Sequence, residues 1–230
     1  MRIGIIGDVH LPYEHPLYLR FCMDVFDQWA VDHIHLVGDV VDCYTISRHG
    51  FDPNGPSPGG EIRQAIEQIQ PWIEAFPVAT ACIGNHDERI DRRAAEAAMP
   101  GQFIRTLHEV LGTASWAWDF KHILDGVLCV HGTLTSGKDA AFNRAIKERR
   151  SVAMGHVHSC GGVKYHTSSN SRIFGLASGC GVDIESLGMV YGRPFPDRPV
   201  LGCGIILDGQ HAYFEAMPCG PKEAYHKSRA

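Results

Sequence analysis

The sequence predicts an α/β fold, and three observations carry that prediction: short apolar runs recur along the chain, each ends in a polar cluster, and helical periodicity occupies several of the intervals between them. The first run, residues 3–6 (Ile-Gly-Ile-Ile), reads as a buried strand that stops at Gly7-Asp8. Leu17, Phe21, Val25 and Trp29 then repeat at four-residue spacing, one face of a helix. A second strand follows at 33–37. Ile62, Ile66 and Ile69 mark a second helix, which Pro71 is expected to kink or end. Residues 78–83, 127–130 and 151–154 are further apolar runs of strand length. Between the third and fourth of these five strands, residues 91–112 read as helix. The charged run 147–150 reads as a helix end, although a phosphate-backbone contact would look the same. Beyond residue 160 helical periodicity disappears, and 172–178 and 204–215 read as strands, the latter around the turn Asp208-Gly209.

The chain has 230 residues with a net charge of −5. At this length roughly 70% of the unfolded surface is buried on folding, so a core forms without disulfide staples. The 44% hydrophobic content excludes disorder and collagen-like structure, and the acidic balance argues against a large nucleic-acid footprint while leaving a short nucleic-acid contact open. No apolar run reaches the ~18 residues that a bilayer span needs, and an acid appears as early as Asp8, so a cytoplasmic protein without a membrane partner is expected. The eight cysteines are scattered without a Cys-x-x-Cys pair and read as reduced, mostly buried small residues. Residues 52–60 and 192–199 are Gly/Pro-rich loops that interrupt an otherwise continuous chain.

Chemistry concentrates just after the strand-like runs: Asp8-Val-His10, Gly-Asp39-x-x-Asp42, Gly-Asn85-His86-Asp87, His131-Gly and Gly-His156-x-His158. In an open α/β sheet the loops at the carboxyl ends of strands converge on one crevice. Carboxylates, imidazoles and one amide suit divalent manganese, iron or zinc, and they are too many for a single tetrahedral ion. Two ions sharing a bridging carboxylate would use them all.

In this order, from residue 8 to residue 158, the five motifs resemble those of the calcineurin-like metallophosphoesterase superfamily, in particular its compact bacterial and phage-type members. The resemblance implies an α/β/β/α sandwich of two sheets with helices outside; residues 1–218 are expected to form it, and the composition of 219–230 reads as a frayed tail. It implies that Asp8, His10 and His158 hold one divalent ion, that Asn85, His131 and His156 hold another, and that Asp39 bridges them. His86 then stays free of metal as general acid on the leaving oxygen, oriented by Asp42. The implied reaction is in-line attack of a metal-bridging hydroxide on a phosphoester. Asn85 can coordinate through its oxygen while its N–H₂ contacts substrate.

Protein phosphatases of the superfamily place an arginine after the second acid; here Cys43 stands there, which favours phosphodiesters: cyclic nucleotide, short nucleic acid or another small diester. A phosphomonoesterase and a non-catalytic scaffold of the same fold are the alternatives. Arg89 reads as a phosphate contact or as an ordinary solvated helix charge. His49, with Thr45 and Arg48 in the loop leaving Asp42, reads as a substrate contact or plain surface loop. His33 and His35 read as packed or edge-strand residues, and Cys43 and Cys160 as small buried residues near the motifs. The loop 52–60 and the segment 91–112 are candidates to shape the cleft. Oligomeric state is not expressed in these patterns.

Overall fold

The structure, a computed structural model, describes residues 1–48, 55–186 and 197–218. His49 and the expected tail 219–230 lie outside these residues, as do parts of the two Gly/Pro-rich loops. The described residues form two sheets flanked by helices, the α/β/β/α arrangement expected from the resemblance. The first sheet has the order β11-β10-β1-β2-β3-β4, with β1 Arg2–Ile6, β2 His33–Leu36, β3 Ala79–Cys82, β4 Trp116–Asp119, β10 Gly202–Leu207 and β11 His211–Ala216. Strands β1 to β4 are parallel, whereas β10 runs antiparallel to β1 over its whole length, from Arg2↔Leu207 to Ile6↔Cys203. The second sheet, β5-β6-β7-β9-β8, comprises β5 Lys121–Leu124, β6 Val127–Val130, β7 Val152–Met154, β8 Gly161–Thr167 and β9 Arg172–Ser178. Its centre, β6-β7-β9, is also parallel.

Burial explains the layers. Ile3, Ile5, Val127, Phe174, Leu176 and Ile206 form a core cluster with residues from strands of both sheets. On the other side of the first sheet, helix α1 (Tyr18–Gln28) contributes Phe21, Val25 and Phe26, and helix α2 (Pro58–Ala75) contributes Ala65, Ile69 and the fully buried Trp72. Each such aliphatic or aromatic side chain taken from water stabilises the fold by about 1.5–3 kcal/mol. Helix α5 (Ala140–Glu148) packs Ala140, Ala141 and Ala145 against Val152 and Met154 of the second sheet.

Three local expectations change. Helix α2 runs through Pro71 because that ring lies on the exposed face one turn from the helix end, while Ile69 and Trp72 anchor the inner face. The segment 91–112 is not one helix but two, α3 (Arg89–Glu96) and α4 (Leu107–Leu111), separated around Pro100-Gly101. Strands β4, β5 and β8 were not expected from the apolar pattern; β5 and β8 are largely exposed, so their residues carry little of the burial signal. The charged run 147–150 does close α5, with Arg149 in the left-handed region.

Candidate metal centre

The parallel strands deliver their following loops to one edge of the sandwich. Asp8 and His10 follow β1, Asp39 and Asp42 follow β2, Asn85 and His86 follow β3, His131 follows β6, and His156 and His158 follow β7. His10 (φ 57°), Asp39 (φ 50°) and His156 (φ 69°) adopt the left-handed region, which costs non-glycine residues on the order of 1–3 kcal/mol each. Hydrogen bonds between the loops hold them there: His10 N donates to Asp39 O at 2.9 Å, and His156 N donates to Asp8 Oδ2 at 2.8 Å. His86 N likewise donates to Asp39 Oδ1 at 2.8 Å.

Two groups of side chains result. In the first, His158 Nε2 lies 3.0 Å from Asp8 Oδ2 and 3.1 Å from His10 Nε2. In the second, His131 Nε2 lies 3.1 Å from Asp39 Oδ2, 3.0 Å from Asn85 Oδ1 and 3.2 Å from His156 Nδ1. Asp39 Oδ2 is also 3.7 Å from His10 Nε2, so one carboxylate stands between the groups. Asp39 with His10 and His86 makes a third such grouping, which includes the histidine that the family resemblance leaves free.

The donor chemistry fits divalent ions. Atoms bound at ~2.0–2.2 Å to one ion lie roughly 3.0–3.5 Å from each other, the spacing seen in both groups. His131 Nδ1 lies 3.1 Å from Val37 O and donates to it; its Nε2 faces two acceptor oxygens, so that position holds a proton or, in its place, a metal ion. Buried carboxylates in a site where Asp8, His10, Asp39 and His131 are at most 2% exposed call for positive charge, which protons on the imidazoles or divalent ions in their place would supply. The protonation balance expresses the same demand. Burial opposes a charged His131, yet Asp39 and Asp8 push it up to about 10. Asp39 and Asp8 are held below the usual carboxylate range, since the imidazoles around them outweigh their burial. His10 and His156 are shifted down by burial and by neighbouring imidazoles.

Asp42 serves two histidines by different atoms. Its Oδ2 accepts from His10 Nδ1 at 2.8 Å, while its backbone carbonyl accepts from His86 Nδ1 at 2.9 Å; its Oδ1 is 3.7 Å from the latter nitrogen. Orientation of His86 by Asp42 thus runs mainly through the main chain, and the carboxylate steers His10. Burial opposes a charged His86, but Asp39 and Asp42 raise its affinity for a proton. Arg89 lies against this histidine: Nη1 donates to the Asp42 and Cys43 carbonyls at 2.8 and 3.2 Å, and Nη2 is 2.9 Å from His86 Nε2.

His35 is fully buried in the central strand β2, and both His33 and His35 bond to Thr80 Oγ1, at 3.0 and 2.8 Å, so they pack within the sheet and not at its edge. Cys43 is buried with its thiol shifted up by burial; Cys160 is partly exposed. Two buried acids had no role in the sequence reading. Asp87 accepts from Gly84 N at 2.8 Å and Val41 N at 3.1 Å, tying two site loops together. Glu61 of α2 accepts from Tyr44 N (2.6 Å), Thr45 N (2.9 Å) and Thr45 Oγ1 (2.5 Å). For Asp87 the Gly-Asn-His-Asp motif was the available signal; Glu61 had none beyond its place in the first turn of an amphipathic helix.

Among the described residues no helix is long and apolar enough to cross a membrane. No curated protein matches this sequence. Structures with a similar chain course include vacuolar protein sorting 29 from Cryptosporidium parvum, 10% identical with 94% of this chain and 97% of that chain covered and a TM-score of 0.47. They also include a metallophosphoesterase from Sphaerobacter thermophilus, at 18% identity, 95% and 88% coverage and a TM-score of 0.48. The phosphoesterase YfcE from E. coli is similar at 17% identity, 90% and 88% coverage and a TM-score of 0.42. The family model described as calcineurin-like phosphoesterase matches residues 1–182, a span that contains all five motifs and every residue of the two groups, and the chain belongs to that family.

Proposed function

We propose that this protein is a phosphoesterase with two divalent ions that prefers phosphodiesters. The observation that carries the reading is the second group, in which Asn85 Oδ1 and Asp39 Oδ2 lie 3.0 and 3.1 Å from His131 Nε2, at a place where the surrounding carboxylates favour a positive charge. Asp8, His10 and His158 would hold one ion and Asn85, His131 and His156 the other, with Asp39 shared. Manganese, iron or zinc held there would supply Lewis acidity toward the phosphoryl oxygens and would lower the pKa of a water for attack. His86 is the proton donor to the leaving oxygen: with Nδ1 tied to the Asp42 carbonyl, Nε2 is the atom that delivers the proton, and neighbouring carboxylates favour its charged form. Arg89 Nη2 lies 2.9 Å from His86 Nε2, and a proton on that nitrogen would need the guanidinium nitrogen to move off it. Cys43, buried and uncharged, cannot serve as the extra cation that a monoester dianion calls for. Among the described residues all seven cysteines are free, which supports a reducing, cytoplasmic setting.

The test compares kcat/KM for bis-p-nitrophenyl phosphate and p-nitrophenyl phosphate on one metal-quantified preparation, with added manganese and a chelated control. A chelator-sensitive preference for the diester is expected. Preference for the monoester would transfer the lead to a phosphomonoesterase with Arg89 as the dianion's cation, and absence of both metal and activity would point to a scaffold.

A further inference from the structure

Next to Asn85 lies an open recess of about 440 Å³ whose lining includes the four guanidinium groups of Arg48, Arg89, Arg92 and Arg93 against one carboxylate, Glu96. This is a concentrated positive patch on a chain of net charge −5. Three of the four arginines belong to α3, at positions 89, 92 and 93, and the fourth reaches in from the loop after Asp42.

Backbone carbonyls, which accept hydrogen bonds without neutralising charge, hold the helix arginines. Arg93 Nε and Nη2 donate to Ile46 O at 2.9 Å and Ser47 O at 3.0 Å, Arg92 Nη2 donates to Asn85 O, and Arg89 Nη1 donates to the Asp42 and Cys43 carbonyls. Two carboxylates offset the four arginines among the described residues: Glu96 is shared between Arg93 at 3.0 Å and Arg48, and Asp42 Oδ1 lies 3.6 Å from Arg89 Nη1. Guanidinium groups fixed in this way lose little further freedom on binding and present planar donor pairs suited to phosphate oxygens. Since Asn85 belongs both to the second metal group and to the recess wall, an anion in the recess sits beside whatever ester occupies the centre.

We propose that this arginine recess binds a second phosphate of the substrate, adjacent to the scissile one, so that the preferred ester carries at least one additional phosphoryl group. The proposal rests on the phosphoesterase reading for the identity of the neighbouring site. The recess itself is defined by Arg48, Arg92 and Arg93, none of which that reading uses.

The experiment measures binding to the manganese-loaded full chain of dithymidylate with a phosphorothioate linkage, which slows cleavage, with and without a 5′-terminal phosphate, for wild type and Arg48→Ala/Arg92→Ala. In the wild type the terminal phosphate should tighten binding about tenfold and steepen the dependence of log Kd on log salt by roughly 0.7. In the variant both increments should disappear. Competition by ADP in the wild type would assign the recess to phosphates of small nucleotides as well as strands, and its absence would assign it to strands. A terminal phosphate that contributes equally in wild type and variant, or contributes nothing, overturns the recess. Arginine-dependent binding by a protein that cleaves no ester would retain the recess and remove the phosphoesterase reading, whereas diester cleavage without arginine-dependent binding would do the reverse. Circular dichroism of the double variant verifies that its fold is intact.

Discussion

At the scale of single residues, His86 stands where two chemistries meet. It lies with His10 and Asp39 in a grouping tight enough for a metal, yet its Nδ1 is committed to a backbone carbonyl and its Nε2 contacts a guanidinium. A general acid and a metal ligand respond differently to removal. His86→Ala should retain the metal content of the wild type and reduce kcat by about 10²–10⁴, most for esters with poor leaving groups, which depend most on protonation. Metal analysis and a leaving-group series measure both effects, and loss of an ion instead would make His86 a ligand. The participants of this site were legible in the sequence because acids, amides and imidazoles stood at the ends of apolar runs, where nothing in core packing calls for them. Their pairing was not. That Asp42 bonds His10 through its carboxylate and His86 through its main chain depends on loop conformations, including the left-handed Asp39 and Cys43, that residue identity does not encode.

Elements rather than residues set how firmly the site loops are held. The short turn Tyr44–Ile46 follows Asp42 directly, and the buried carboxylate of Glu61, from the first turn of α2, receives both of its first two N–H groups and the Thr45 hydroxyl. Helix α2 is in turn fixed by Ala65, Ile69 and Trp72, so the packing of a helix is transmitted to the loop that carries Asp42, Cys43 and the carbonyls gripping Arg89. Glu61→Ala would leave those buried donors without acceptors, at about 1–3 kcal/mol for each that the loop cannot re-satisfy. A loss of about 3 kcal/mol is expected in urea unfolding, and a change below 1 kcal/mol would show that the turn is held otherwise. Close approach is a second device at this scale: a Cβ at Gly84 would meet the Asp39 carboxylate and one at Gly155 the Asp8 carboxylate, so glycine precedes a ligand-bearing turn in both loops. The apolar runs made the buried strands β1, β2, β3, β6 and β7 readable, and the hairpin β10–β11 was readable from its Asp-Gly turn. The exposed β5 and β8 carried no comparable pattern, and Pro71 does not end α2, whose inner face is anchored on both sides of it by Ile69 and Trp72.

For the molecule as a whole, the family match ends at residue 182, but the first sheet does not. Strand β10 pairs with every residue of β1, and its side chains enter both cores: Cys203 and Ile205 join α1 and α2, and Ile206 joins Ile3, Ile5 and Leu176 between the sheets. Tyr18 of α1 ties the two ends of the described chain, its hydroxyl donating to Gly202 O at 2.8 Å and accepting from Gly7 N at 3.0 Å. Because Asp8 and His10 hang from β1, the metal centre depends on pairing supplied by residues almost two hundred positions away. We therefore propose residues 1–218 as the folding unit and 219–230 as dispensable. A chain cut after residue 186 should lose cooperative thermal unfolding and manganese binding together, since it exposes the apolar residues of β1 and leaves one edge of that strand unpaired. A chain cut after residue 218 should keep its Tm within a few degrees of the full protein and its full metal stoichiometry. Calorimetry with metal analysis on the two truncations tests this, and cooperative unfolding by residues 1–186 would show that the parallel strands alone suffice to present the site.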